Sequence, residues 1–247
     1  MRPLVLWVAA TAAACSVDWP LAQSQDAAVL CDRIPPLAAG AVIDGQLEPG
    51  LVLYSWTGAP ARFSLAYRPD GLYFFASVED ATRDPAPADA LAYCGDGVEL
   101  FVDDDGVIAH PPGYDVPGTM QLVIAAPADG VTTVHRGQRF VFSGASTDST
   151  DLGPWSSGNF VAVPTATGYA VEALVTATDL DVDAWAPASG GKMGWDVSLN
   201  IGGPESPGTD ACTTRSQQLH FRLAAAGACT APYCNASALC TPTLGAP

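Results

Sequence analysis

The stretch Gly71–Asp105, GLYFFASVEDATRDPAPADALAYCGDGVELFVDDD, constrains the fold more than any other part of the chain. Two runs within it alternate with a period of two. In the first, Leu72, Phe74, Ala76 and Val78 share one face, and Tyr73, Phe75 and Ser77 the other. In the second, Val98, Leu100 and Val102 oppose Glu99, Phe101 and Asp103. Successive side chains of an extended backbone point to opposite sides, so alternation enriched in aromatic and β-branched residues predicts strands. The runs end in Glu79-Asp80 and Asp103-Asp104-Asp105. The expectation is two strands that carry carboxylates to one loop-bearing edge.

The rest of the chain repeats this grammar. Ala61–Tyr67 alternates and meets the first run through Arg68-Pro69-Asp70-Gly71, a turn signal, so the two form a hairpin. Phe160–Val163 and Tyr169–Thr176 predict a second hairpin, and Thr119–Ala126, Met193–Ile201 and Gln218–Leu223 read as further strands. Short strands are also expected at Ala41–Ile43, Val131–His135 and Arg139–Phe142, with a polar loop over Ser143–Gly158 and a helical turn within Thr178–Trp185. Many short strands, frequent Gly and Pro and no sustained helical period predict an all-β fold. It is an antiparallel β-sandwich of two sheets, jelly-roll or immunoglobulin-like, with short helical turns in loops.

The N-terminal segment is targeting sequence. Arg2, the apolar run Leu4–Ala10 and the small residues after it form a secretory signal. Ala12-Ala13-Ala14 before Cys15 resembles the lipobox of bacterial lipoproteins, which implies cleavage before Cys15 and its acylation. The expected organisation is a signal peptide over 1–14, a tether over 15–40, a sandwich over 41–223 and a Cys-rich tail over 224–247. The expected location is the bacterial outer membrane, reached through the lipid anchor. Setting Cys15 aside leaves Cys31, Cys94, Cys212, Cys229, Cys234 and Cys240, an even set that predicts disulfides in an exported chain. The spacing does not choose among the pairings.

Charge narrows the partners. The chain has 26 Asp and Glu against 10 Lys and Arg, a formal net charge of −16. Phosphate backbones need a basic footprint, so nucleic acid is excluded as a partner. Carboxylates are the ligands Ca²⁺ prefers, and Asp80, Asp103 and Asp105 are the candidate set for a structural Ca²⁺ ion. The same acidic ends contain Glu79, Asp80, Glu99 and Asp103, from which a glycosidase pair would be drawn. Neither G-x-S-x-G nor H-E-x-x-H occurs, and His110, His135 and His220 are scattered. Met120, Met193 and Lys192 are the residues a haem site would use, but Lys192 and Met193 are neighbours and point apart on a strand.

A series of short motifs runs through the sandwich region: Ile43-Asp44-Gly45, Tyr67-x-x-Asp70-Gly71-Leu72-Tyr73, Val78-Glu79-Asp80, Gly95-Asp96-Gly97-Val98-Glu99-Leu100-Phe101-Val102-Asp103, Tyr169-x-Val171-Glu172-Ala173 and Gly194-Trp195-Asp196-Val197. In order and spacing this series resembles the family 9 carbohydrate-binding module, over roughly Ala41 to Leu223. The resemblance implies binding of a polysaccharide or oligosaccharide without catalysis. It implies that Tyr93 stacks on a sugar ring and that Glu99 bonds its hydroxyls. The chain departs from the family pattern twice. No Trp lies between Gly202 and Leu223 to complete an aromatic sandwich, and Val123 stands where Arg is expected. Trp155, in the polar loop, is the expected replacement platform, ahead of Trp56 and Trp185. Trp195, in an alternating strand, reads as core. The other class of function for such a domain is protein interaction.

Overall fold

The structure, a computed structural model, describes residues 25–37, 40–56, 58–84, 89–107, 111, 113–114, 118–144, 148–155, 159–203, 215–223, 230–233 and 235–245. The signal segment, Cys15, Cys212, Cys229 and Cys234 lie outside the described residues. A helix α1 (Gln25–Asp32) leads into strands β1 (Arg33–Ile34), β2 (Tyr54–Trp56), β3 (Ala61–Arg68), β4 (Gly71–Glu79), β5 (Gly97–Asp103), β6 (Thr119–Ala125) and β7 (Gly137–Phe142). The strands β8 (Ser149–Pro154), β9 (Phe160–Pro164), β10 (Gly168–Val175), β11 (Gly194–Gly202), β12 (Arg215–His220) and β13 (Thr243–Leu244) follow.

Two antiparallel sheets pack as a sandwich. One has the order β2-β3-β4-β10-β9 and the other β12-β11-β5-β6-β7-β8. The expected hairpins are both present, with Arg68 opposite Gly71 and Tyr169 opposite Pro164. The alternating apolar residues meet between the sheets. Leu72, Phe74, Ala76 and Val78 of β4 share one cluster with Val98, Leu100 and Val102 of β5 and with Trp195 of β11. Phe63, Trp195 and Phe221 sit at its centre, ring centroids 5.2–5.8 Å apart. Aromatic rings in such offset and edge contacts add to what burial alone supplies.

Alternation predicts a dry face and a wet face, yet both faces of β4 are buried over most of its length. Leu37 and the residues from Ala41 to Leu53 fold over the outer side of the five-stranded sheet and pack on Tyr73, Phe75 and Ala170. One carboxylate pins it. Glu172 Oε2 accepts the backbone N–H groups of Asp44 and Gly45, each at 2.7 Å, and Glu172 Oε1 accepts Tyr73 Oη at 2.8 Å. Gly45 has φ +87°, and a Cβ there would lie 2.5 Å from Val163. The Ile43-Asp44-Gly45 and Tyr169-x-Val171-Glu172 motifs are therefore the two halves of one structural clasp.

Several boundaries differ from the expectation. Residues 25–37 belong to the fold and are not tether. Leu30 and Ile34 are fully buried, β1 pairs parallel with β13, and Cys31 bonds to Cys240 across 209 residues. The end of the tail packs too, since Trp195 and Cys240 exchange backbone hydrogen bonds and Tyr67 Oη donates to Gly245 O at 2.6 Å. Ala41–Ile43 is not a strand, because its residues lie across the sheet as cover and not beside a partner. Around Val131–His135 only Val134 bridges to a neighbour. The polar loop contains β8, an exposed edge strand whose lack of apolar alternation hid it. Residues 177–181 form turns in place of the expected helical turn.

Candidate functional site

The outward side of the six-stranded sheet carries a polar row at its centre. Glu99 of β5 lies opposite Ser198 of β11 and Val123 of β6, and Asn200 of β11 lies opposite Gln218 of β12. Period two brings Glu99, Gln121, Asn200 and Gln218 to the same face, away from the core. The Glu99 carboxylate accepts three carboxamide N–H bonds: Gln121 Nε2 at 2.8 Å, Asn200 Nδ2 at 2.7 Å and Gln218 Nε2 at 2.9 Å. Glu99 is fully buried. A buried carboxylate needs such donors, and in return it fixes the orientation of all three carboxamides.

A cavity of about 450 Å³ opens over this row. Glu99, Gln121 and Gln218 contribute to its lining, as do Tyr93, Phe140, Phe142 and Tyr233, with Asp148 and Ser149. Tyr93 sits on a kinked 3-10 segment, Asp89–Cys94, that crosses the sheet. Ala92 of that segment packs on Val123 and Ala125, and Tyr93 meets the edge of Phe140 at 5.6 Å. Cys94, next to Tyr93, is disulfide-bonded. Tyr233 lies beside His220, ring centroids 5.5 Å apart, and is 39% exposed. Its segment is tied to the sheet by Tyr114, whose Oη donates to Pro232 O at 2.5 Å. His220 Nδ1 lies 2.6 Å from Ser198 Oγ, but Ser198 is fully buried and does not reach the cavity.

The arrangement offers aromatic walls and an oriented carboxamide floor. Aromatic faces accept the apolar side of a ring, and carboxamides both donate and accept. Tyr93 and Glu99 are brought to one cavity. Trp155 is not: it is 2% exposed, stacks on Phe160 at 4.2 Å, and its Nε1 donates to Asp179 at 2.7 Å. Its polar neighbours in sequence suggested an exposed platform, but a stacked partner and a buried acceptor place it in the core. Trp56 is core as well, Trp185 is half-buried with Nε1 on Asp104 O at 3.0 Å, and Trp195 is core as expected. Sequence reasoning missed Tyr233 because it lies in the Cys-rich tail. It missed Gln121, Asn200 and Gln218 as a set, although each is a polar residue inside a strand.

The acidic ends of β4 and β5 do not share an edge, which corrects the expected ligand set. Asp80 acts electrostatically on Asp96 at the start of β5. Asp103 closes the same strand, about 20 Å away for seven extended residues. Asp103, Asp104 and Asp105 do cluster, with carboxylate oxygens within 4.8 Å of one another. Asp96 has its pKa pushed up to about 6, chiefly by burial, although it accepts backbone N–H groups from Gly202 at 2.5 Å and from Asp84. Met120 and Met193 are both buried in the core between the sheets, while Lys192 is exposed, so these three do not face a common site.

No protein-family model and no curated protein sequence matches the chain. Among solved structures it is similar to a family 9 carbohydrate-binding module from Caldicellulosiruptor kristjanssonii in complex with cellotriose. The TM-score is 0.56 at 18% identity, over 87% of this chain and 95% of that one. A module of the same family and organism in complex with glucose gives a TM-score of 0.54 at 19% identity, over 87% and 97% of the two chains. At these identities the likeness is one of fold.

Proposed function

We propose that this chain, with the fold of the family 9 carbohydrate-binding modules, binds a carbohydrate without catalysis on the outward face of its six-stranded sheet. The observation that carries this is the cavity in which Tyr93 and Tyr233 stand over carboxamides oriented by Glu99. One aromatic ring takes the C–H face of a pyranose, and Gln121 and Gln218 meet its hydroxyls. Glu99 acts mainly through these carboxamides, as the anchor of the floor. Support comes also from the two modules of the same fold, whose structures are in complex with cellotriose and with glucose.

One stacked ring contributes about 0.5–1.5 kcal/mol beyond burial, and each neutral hydrogen bond about 1 kcal/mol net. With the burial of the ring's apolar face added, affinity is on the order of 0.1–1 mM. Calorimetry with glucose and xylose oligosaccharides measures it. Tyr93→Ala removes the platform and lowers affinity at least tenfold while the domain stays folded, since Tyr93 is only half-buried. An unchanged affinity in Tyr93→Ala, or no saccharide bound at millimolar concentration, overturns the proposal.

The chain is proposed to be exported and held at the outer membrane by acylated Cys15. Asp103, Asp104 and Asp105 are proposed to hold a structural Ca²⁺, since hard carboxylate oxygens at this spacing suit that ion.

A further inference from the structure

The same cavity has a chemical bias that a neutral sugar does not use. Among the described residues that line it, none is Lys or Arg, while Glu99 and Asp148 are carboxylates. Val123 packs under Ala92 at the position next to Glu99. Beside the cavity, Asn200, whose Nδ2 donates to Glu99, leaves its Oδ1 buried without a hydrogen-bond partner. The wider chain carries a net charge of −16. A recess with two carboxylates and, among its described lining residues, no Lys or Arg disfavours carboxylated or phosphorylated sugars, because burying like charge together is costly. It favours a ligand that brings donors and positive charge. A protonated amine supplies three donors and no acceptor, and Tyr93 and Tyr233 add aromatic faces that attract cations.

Resting on the carbohydrate-binding reading above, we infer that the cavity takes a glycan whose sugars carry free amino groups. The ring lies against Tyr93, and the ammonium points toward the Glu99 and Asp148 side. Asp148 is exposed at the rim, so it adds a charge that salt can screen, while Glu99 adds one that salt reaches less.

The test is calorimetry of the mature chain at about pH 6, below the range in which α-amino groups titrate. The probes are glucosamine, glucose, N-acetylglucosamine and galacturonate oligomers of equal length. The expected result is about three- to tenfold tighter binding of the glucosamine oligomer than of the neutral ones, with the galacturonate oligomer weakest. The gap closes as salt rises toward about 1 M, where the Debye length is only about 3 Å. Asp148→Asn lowers the glucosamine-to-glucose affinity ratio about twofold or more. Tyr93→Ala keeps the net charge and loses glucosamine binding. Equal binding of amino and neutral oligomers, or tighter binding of galacturonate, overturns this inference and leaves the carbohydrate-binding reading standing. Glucosamine binding that survives Tyr93→Ala overturns it as well, since attraction to the acidic surface then accounts for it. Failure of every oligomer to bind sinks both.

Discussion

Replacing Glu99 by Gln is the sharpest probe of how the site is built. Three carboxamide N–H groups converge on its two oxygens. Glutamine has nearly the same shape but only one acceptor oxygen, and its own NH₂ turns toward at least one of the donors. One or two charge-assisted bonds are lost, each worth about 1.5–3 kcal/mol. Part of this is offset because a neutral group is cheaper to bury. The net cost is roughly 2–4 kcal/mol, and a domain of this size loses about 2–4 °C of melting temperature per kcal/mol. Thermal unfolding followed by circular dichroism should therefore show a drop of roughly 5–15 °C. Glu79→Gln serves as the reference. Glu79 pairs with Arg62 at 3.6 Å, both side chains are more than half exposed, and its loss should shift melting by no more than a degree or two. The Glu99 variant should also lose saccharide binding at temperatures where it is still folded, because Gln121 and Gln218 are no longer oriented. A Glu99→Gln protein that melts like the Glu79→Gln protein would show that the carboxylate does not organise the floor, and the account of the site would fail.

Opening the Cys31–Cys240 bond in a double Cys→Ser variant should cost roughly 2–5 kcal/mol, because it closes a long loop in the unfolded chain and ties β1 to β13; a denaturant midpoint equal to that of the wild type would count against it. The folded-state pKa of Asp96 lies above its unfolded value, so between about pH 4 and pH 6 the folded protein binds more protons and stability falls as pH rises. Buried Asp196 and Glu172, also shifted up by burial, act in the same direction. Asp96→Asn should flatten this slope in melting temperature against pH, and an unaltered slope would refute the assignment. Adding Ca²⁺ to chelator-treated protein should raise the melting temperature, and Asp103→Asn with Asp105→Asn should abolish the rise. Cys15→Ser should move the chain from the membrane fraction to the soluble one, and unchanged membrane retention would remove the anchor.

Features that depend on neighbouring residues are legible in the sequence. Strict alternation in Leu72–Val78 and Val98–Val102 specifies strands and their dry faces, because backbone pleating forces period two wherever the chain is extended. Turn chemistry at Arg68–Gly71 determined one hairpin and its register. Tyr93 and Glu99, singled out through the ordered motifs, do line one cavity. Which surfaces meet across long separations is legible only in the folded chain. Gln121, Asn200 and Gln218 stand 22, 101 and 119 residues from Glu99 and meet it only through the order of the strands. The burial of Tyr73 and Phe75 depends on a segment some 20 to 40 residues earlier, whose expected strand at Ala41–Ile43 does not form. Trp155 reads as exposed from its polar neighbours and is buried because Phe160 and Asp179 come to it from other strands and turns. Residues 25–37 read as tether because the stretch around them is rich in Ala, Pro and polar residues, yet Leu30, Cys31 and Ile34 find partners at the other end of the chain. Local pattern sets conformation, whereas burial and site geometry are set by pairings that a local pattern does not encode.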